Sequence, residues 1–356
     1  MNELDETLEL LHRDARTAPA DLTAARAKVM AELDSSVIPL RRKRLRRFAV
    51  PVAAAVAALT AVVVVRPSEP APPAAGPAPV PAAPVPDVKL MSAVQVLNRA
   101  ADLSVGAVDQ PVGPGQFRLV AEHTWVGRGV QTADGAGYTY LWEQEVDRWI
   151  PAAERDVWQE TRKILSTGKF LGGSVPQAQA PEPEITNTDQ GQWRGACGDF
   201  FPKAKPAKKC GDPADWDSPA FYAALPHDPA ALYAKLRDLT KGRGSTPTVM
   251  FHFGIEILRA GLMPAELRAQ WYRALAKIPG ITVLAASANL DGRSGVALGL
   301  DDRHEIRQLI IDPVTGGFIG ERTIAGAEPT DPWIKPGTEL GASAITTSVV
   351  GALGEK

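Results

Sequence analysis

Few residues in this chain are spaced for chemistry, and the familiar reaction centres fail one at a time. His304-Glu305 opens like a zinc-protease helix, but Gln308 stands where the second histidine is needed. His252 and Glu256 are one helical turn apart and offer two ligands, one short of a catalytic metal set; a solvated or core histidine is the alternative. Gly292-Arg293-Ser294-Gly295 reads as a hairpin turn and not as a nucleophile elbow. Gly127-x-Gly129 and Gly242-x-Gly244 lack the strand-to-helix setting of a phosphate loop. Cys197 and Cys210 are too far apart for a C-x-x-C redox pair, and no histidine or second cysteine pair lies near them to complete a zinc site. The expectation is a binding protein, not an enzyme, with no cofactor. One constellation invites a ligand. Trp125, Tyr138, Tyr140 and Trp142 could line an apolar groove for an acyl chain or a peptide, or could face helices as plain core.

These residues must be positioned by the long second half of the chain, and the first half says where that half resides. Arg41, Arg42, Lys43, Arg44, Arg46 and Arg47 end abruptly at Phe48, and Phe48–Val65 carries no charge. At 1.5 Å per residue those eighteen residues reach about 27 Å, just short of a hydrocarbon core. A basic flank is retained in the cytoplasm. The sequence thus predicts a single-pass anchor with residues 1–47 inside and 66–356 outside. A cleaved signal would need its apolar core nearer the N-terminus, although small residues at Ala71–Ala75 could host cleavage. A net charge of -2 argues against nucleic acid as a partner.

Residues 1–47 form a helical head. Leu4, Leu8 and Leu11 recur at helical spacing among acidic residues, and Leu22, Val29 and Leu33 mark a second helix. Two short helices cannot bury a core alone, so Leu4, Leu8 and Leu11 are candidates for binding a cytoplasmic regulatory protein; a frayed tail that only tunes insertion is the other reading. Residues 66–87, rich in Pro and Ala, are an extended polyproline stalk. Outside the cell the two cysteines meet an oxidising medium, where a disulfide is expected and two unpaired thiols are the alternative.

Residues 88–356 read as one α+β domain, a curved, half-barrel-like antiparallel sheet with helices packed on one side. A helix is predicted over 88–103, a hairpin of Phe117–Trp125 and Tyr138–Arg148 around a loop at Gly127–Gly137, and a third strand over Asp156–Leu165. Residues 172–217 lack periodicity and read as a long insert pinned by the cysteines. Asp228-Pro229 and Thr246-Pro247 are helix starts, and Pro264 begins a third helix carrying Leu267, Trp271 and Leu275. Strands are expected over Ile281–Asn289, Ser294–Leu300, Glu305–Ile311, Phe318–Ile324 and Ala344–Val350, with Asp291-Gly292 as a tight turn.

The blocks Leu225-Pro226-x-Asp228-Pro229, Arg273-Ala274-Leu275-Ala276-Lys277-Ile278-Pro279-Gly280 and Ile311-Asp312-Pro313-x-Thr315-Gly316 follow that head, span and stalk. Together they resemble an uncharacterised family of single-span membrane proteins from high-GC Gram-positive bacteria. The outer domain is similar in element order to the half-barrel of lipoprotein carriers and envelope-stress sensors. The head is placed like an anti-sigma domain, though it has no cysteine and only His12, which departs from the zinc anti-sigma pattern. That family has no established activity to carry over, and the expectation is an extracytoplasmic binding or sensing domain coupled to an intracellular regulator such as a sigma factor. Its alternative is a lipid- or lipoprotein-handling envelope factor whose head serves only insertion.

Overall fold

The computed structural model describes residues 91–107, 109–132, 136–203, 208–284 and 286–356, all within the unit Pro79–Lys356. The head, the basic flank and the apolar segment Phe48–Val65 lie outside the described residues, as do Leu4, Leu8 and Leu11. Among the described residues no helix is long and apolar enough to cross a membrane.

The class is α+β. One antiparallel sheet of ten strands carries a small set of helices. The chain enters with helix α1, Ala93–Val105. Ser92 accepts from the Gln95 amide while the Gln95 side chain accepts from the Ser92 amide, so two otherwise unpaired donors are satisfied. Strands β1 (Phe117–Gln131), β2 (Gly137–Pro151), β3 (Val157–Gly173) and β4 (Gly191–Ala196) then form a meander. Four helices follow: α2 (Pro219–Ala223), α3 (Pro229–Leu239), α4 (Pro247–Arg259) and α5 (Ala265–Leu275). The chain returns to the sheet as β5 (Thr282–Val283), β6 (Ser287–Ala288), β7 (Ser294–Asp301), β8 (Glu305–Ile311), β9 (Phe318–Ala325) and β10 (Glu339–Val350). Across the sheet the order is β4-β3-β2-β1-β10-β9-β8-β7-β5, with β6 beside β7. In the strand order the two halves of the sheet meet at β10, which pairs antiparallel with β1 on one side and β9 on the other.

Local chemistry explains the helix boundaries. Asp228 accepts from the Ala230 and Ala231 amides at 2.9 and 2.8 Å, with Pro229 in the first turn. Thr246 caps α4 in the same manner. At the end of α4, Gly261 takes a φ of 69°. It also touches the sheet there: a Cβ at this position would come within 2.8 Å of Val120. Pro264 has no side chain to cap α5, and the carboxylate of Asp109 does so from a distant part of the chain, accepting from the Ala265 amide.

The main core lies between these helices and one face of β7 and β8. Leu97, Phe251, Ile255, Trp271 and Leu275 pack there with Leu298 and Leu309. Gly254 lets α4 and α5 meet closely: Leu275 sits where its Cβ would be, and its carbonyl accepts from the Trp271 indole at 3.1 Å. The opposite face is also covered near β1, where Leu119, Trp149 and Val350 form a separate cluster.

Several boundaries differ from expectation. β1 and β2 run on through the region read as the Gly127–Gly137 loop, and Gly127 and Gly129 pair in register with Leu141 and Thr139. The insert at 172–217 is not without regular structure, because β4 adds an edge to β3. The segment read as one strand over Ile281–Asn289 is two short strands, both on β7.

A disulfide joins Cys197 to Cys210. It closes a loop with a sequence separation of 13 beside Trp158, which is fully buried. In the chain-entropy model such a loop contributes about 3 kcal/mol. The paired substitution Cys197→Ser/Cys210→Ser is therefore expected to lower denaturant stability by about that amount. If reductant leaves the midpoint of the unmodified chain in place, the bond carries no such weight.

Candidate functional site

The residues most able to recognise a ligand are charged and lie on the sheet face that the helices cover. Val120, Glu122 and Thr124 alternate along β1, Val146, Arg148 and Ile150 along β2, and Trp158, Glu160 and Arg162 along β3. Register places Val120 opposite Arg148, and Arg148 opposite Glu160. Val120 meets Gly261, and Glu122 meets Arg259, so this is the helix side.

Two ion networks result. In the first, Arg148 donates twice to one Glu160 oxygen at 2.9 and 2.8 Å and once to Asp217 at 2.6 Å, while Arg162 donates to the other Glu160 oxygen at 2.7 Å. Burial opposes the charge on Glu160, but Arg148 and Arg162 outweigh it and hold the carboxyl below its ordinary range. In the second, Glu321 is gripped by Arg307 at 2.8 Å and by Arg259 at 3.0 Å. These arginines again overcome burial and lower its pKa. Arg259 reaches back across β10 to lie 3.2 Å from Glu122.

Glu122 is the exception. It is nearly buried, and among the described residues Arg259 is its only charged contact within reach; no hydrogen bond forms to Oε1. Burial raises its pKa, Arg259 opposes this, and Glu321 adds to it. A buried carboxylate oxygen with a charged neighbour but no hydrogen bond is costly, and Glu122 lines an open cleft. The cleft is about 360 Å³, bounded by Val120, Glu122, Val146, Arg148, Trp216, Asp217, Glu256, Arg259 and Ala260. That lies at the lower end of small-molecule sites. Trp216 is 36% exposed.

A second cavity of about 420 Å³ is lined in part by Gly261. Its lining mixes Leu258, Leu262, Met263, Phe318 and Ile345 with Asp109, Arg118 and Arg268, and Arg268 lies 3.6 Å from Asp109. Arg268 Nε is buried with no hydrogen-bond partner.

The four aromatic candidates do not share one face, and three of them take the plain-core alternative. Tyr138, Tyr140 and Trp142 share the helix-side face but are only 2–3% exposed, packed with Ala180. The Tyr140 hydroxyl donates to the Ala180 carbonyl at 2.6 Å, so the segment after β3 fills the space a ligand would need. Trp125 projects from the opposite face, opposite Glu143, under the Lys169 ammonium at 4.0 Å. Period-two alternation separates even from odd positions, and the hairpin register puts Trp125 out of phase with the other three.

His252 and Glu256 also part ways. His252 Nδ1 lies 3.4 Å from Glu305, while Glu256 faces Arg307 at 3.4 Å. The His252–Glu305 distance alone suggests an ion pair. Burial and then Arg307 push His252 down to about 4, so the imidazole is neutral at pH 7 and the contact is not ionic there. Among the described residues no group of three or more His, Cys, Asp or Glu is placed to hold a metal.

His123 was not singled out in the sequence, yet it ties the two halves of the sheet together on the face away from the helices. Its Nε2 lies 2.9 Å from Glu143 of β2, and its Nδ1 lies 2.6 Å from Asp291 in the β6–β7 turn. Burial works against the imidazolium, but these two carboxylates outweigh it and raise the pKa. The stabilisation is therefore complete below the ordinary histidine value of about 6.5 and is lost as pH rises through the higher folded value. His123→Gln is expected to remove that decline. Melting temperatures of both forms between pH 5.5 and 9 test this, and parallel curves exclude the link.

No family model matches the chain, and no curated protein matches it. One solved structure, of the Pseudomonas aeruginosa MucA/MucB complex, is similar at 12% identity over 74% of this chain and 59% of that chain, with a TM-score of 0.20. A likeness that weak carries no argument about fold or function.

Proposed function

We propose that this chain is a membrane-anchored, extracytoplasmic binding or sensing protein, not an enzyme. Its folded domain takes up an envelope ligand, and its N-terminal head contacts an intracellular regulator of the sigma-factor-restraining kind. The observation that carries this reading is the open, charged cleft between the helices and the sheet. The basic-to-apolar junction at Arg47-Phe48, the proline stalk and the disulfide-bearing domain support the topology of a single-pass protein with its N-terminus inside. A sheet curved as a half-barrel beneath the helices belongs to the same proposal.

Crosslinking the full chain in cells of its own host, beside a chain lacking residues 1–40, tests the coupling. One partner protein should be captured by the first and lost from the second. Capture by neither would sink the regulatory half of the proposal. A reporter fused at the C-terminus should behave as extracellular, and an intracellular readout would sink the topology.

The second cavity favours the alternative of lipid handling. Its apolar lining and the arginines Arg118 and Arg268, the latter facing Asp109 at 3.6 Å, offer a place for an amphiphile with an acidic head. Native mass spectrometry of the purified chain should then show a retained lipid, displaced in Arg268→Met; a clean ligand-free mass argues against this reading.

A further inference from the structure

We propose that the cleft recognises an organic cation, with an ammonium or guanidinium group on Glu122 and an alkyl stem against Trp216. This rests on the cleft being the ligand site and names the class of ligand. The wall's arginines are already committed. Arg148 gives Nε and Nη2 to Glu160 and Nη1 to Asp217. Arg259 gives Nη1 to Glu321. The acceptors are not committed to the same degree. Glu122 has Arg259 beside it but takes no hydrogen bond at Oε1, and Glu256 has one long contact of 3.4 Å to Arg307. Of the three carboxylates in the cleft wall, Asp217 is met by Arg148 and Lys208 and Glu256 by Arg307, which leaves Glu122, with no hydrogen bond at Oε1, the one short of a donor and of a second cation. A cation supplies both. It would give Glu122 the hydrogen bonds that burial has removed, and the low local dielectric strengthens that contact. Trp216 offers a ring face for the stem or for the charge itself. A volume of about 360 Å³ admits a chain of five or six carbons with one charged end, comparable to a lysine side chain.

The test titrates the full-length chain, in detergent, with three matched probes: pentylamine, 1-pentanol and pentanoate. Calorimetry or ligand-observed NMR reads the binding. Pentylamine should bind at least tenfold more tightly than 1-pentanol, and Glu122→Gln should abolish that preference. Trp216→Ala, an exposed change that leaves the charged wall intact, should weaken pentylamine several-fold. Circular dichroism of both variants checks the fold. Preferential binding of pentanoate overturns the cation assignment while leaving the cleft a ligand site. Binding of none of the three overturns the assignment and the cleft's role together. Unchanged pentylamine binding in Glu122→Gln also overturns it.

Discussion

Glu160→Leu is expected to lower the stability of the folded domain by about 3–5 kcal/mol, the usual cost of removing one member of a buried ion pair. Glu160 is fully buried and accepts from two arginines, one on each oxygen. With leucine in its place, Arg148 keeps only Asp217, and Arg162 keeps the Thr188 carbonyl at 3.0 Å. Arg148 is the more enclosed guanidinium, its side chain 23% exposed against 32% for Arg162, which lies over the Trp193 ring. The loss thus comes mainly from stranded positive charge, less from the missing attraction. The pH dependence identifies the cause. A carboxyl held below its ordinary range stabilises fully above that range, and the contribution fades as pH falls through the folded value. The variant should therefore show a shallower acid limb than the unmodified chain. Urea unfolding at pH 7 and pH 4 measures both effects. A loss below about 1 kcal/mol at pH 7 would mean that the network is effectively a surface one.

Trp271→Ala should cost a similar amount, about 3–5 kcal/mol, by a different route. Its ring is fully buried in the main core, and its indole N–H donates to the Gly254 carbonyl. Truncation leaves a large void between α4 and α5 and frees a carbonyl already used inside a helix. The void cannot close readily, because the helices already touch at Gly254, where Leu275 fills the space a Cβ would take. Trp271→Phe keeps most of the volume and drops the donor, so the difference between the two variants separates packing from hydrogen bonding. Near-equal losses in both would assign the effect to the N–H. No pH dependence is expected for either.

The parts of this fold that were legible in the sequence are those decided within a few residues. Asp228-Pro229 and Thr246-Pro247 mark helix starts because the cap and the proline act on adjacent amides. The turn at Asp291-Gly292 follows from local backbone preference, with Gly292 at a φ of 81°. Strand ends were harder. Gly127 and Gly129 look like loop residues but lie in a strand whose partner is fixed by the rest of the hairpin. β4 is short and contributes one partly buried aromatic, Trp193, to an edge, too little to stand out from the surrounding insert.

The candidate site was hidden for a reason of phase. In β1 the odd positions Phe117, Leu119, Ala121, His123 and Trp125 form the more apolar set, which suggests that they face the core. The sheet is in fact buried on both sides at this point. Glu122, Arg148 and Glu160 occupy the helix side because each finds partners from distant elements, and no alternation within one strand reveals them. Alternating charges of opposite sign on three consecutive strands are the one signal that was available.

β10 comes last in chain order among the strands, yet it lies between β1 and β9. While the chain is being made, two sets of strands accumulate with a missing plank between them. Each set presents a bare margin of amides and carbonyls until residues 339–350 arrive. Assembly therefore runs out of step with synthesis, and the half-finished sheet is open to pairing with other chains. Cover for that margin from a chaperone is most valuable during that interval, and it ceases to matter once the final strand has slid into place.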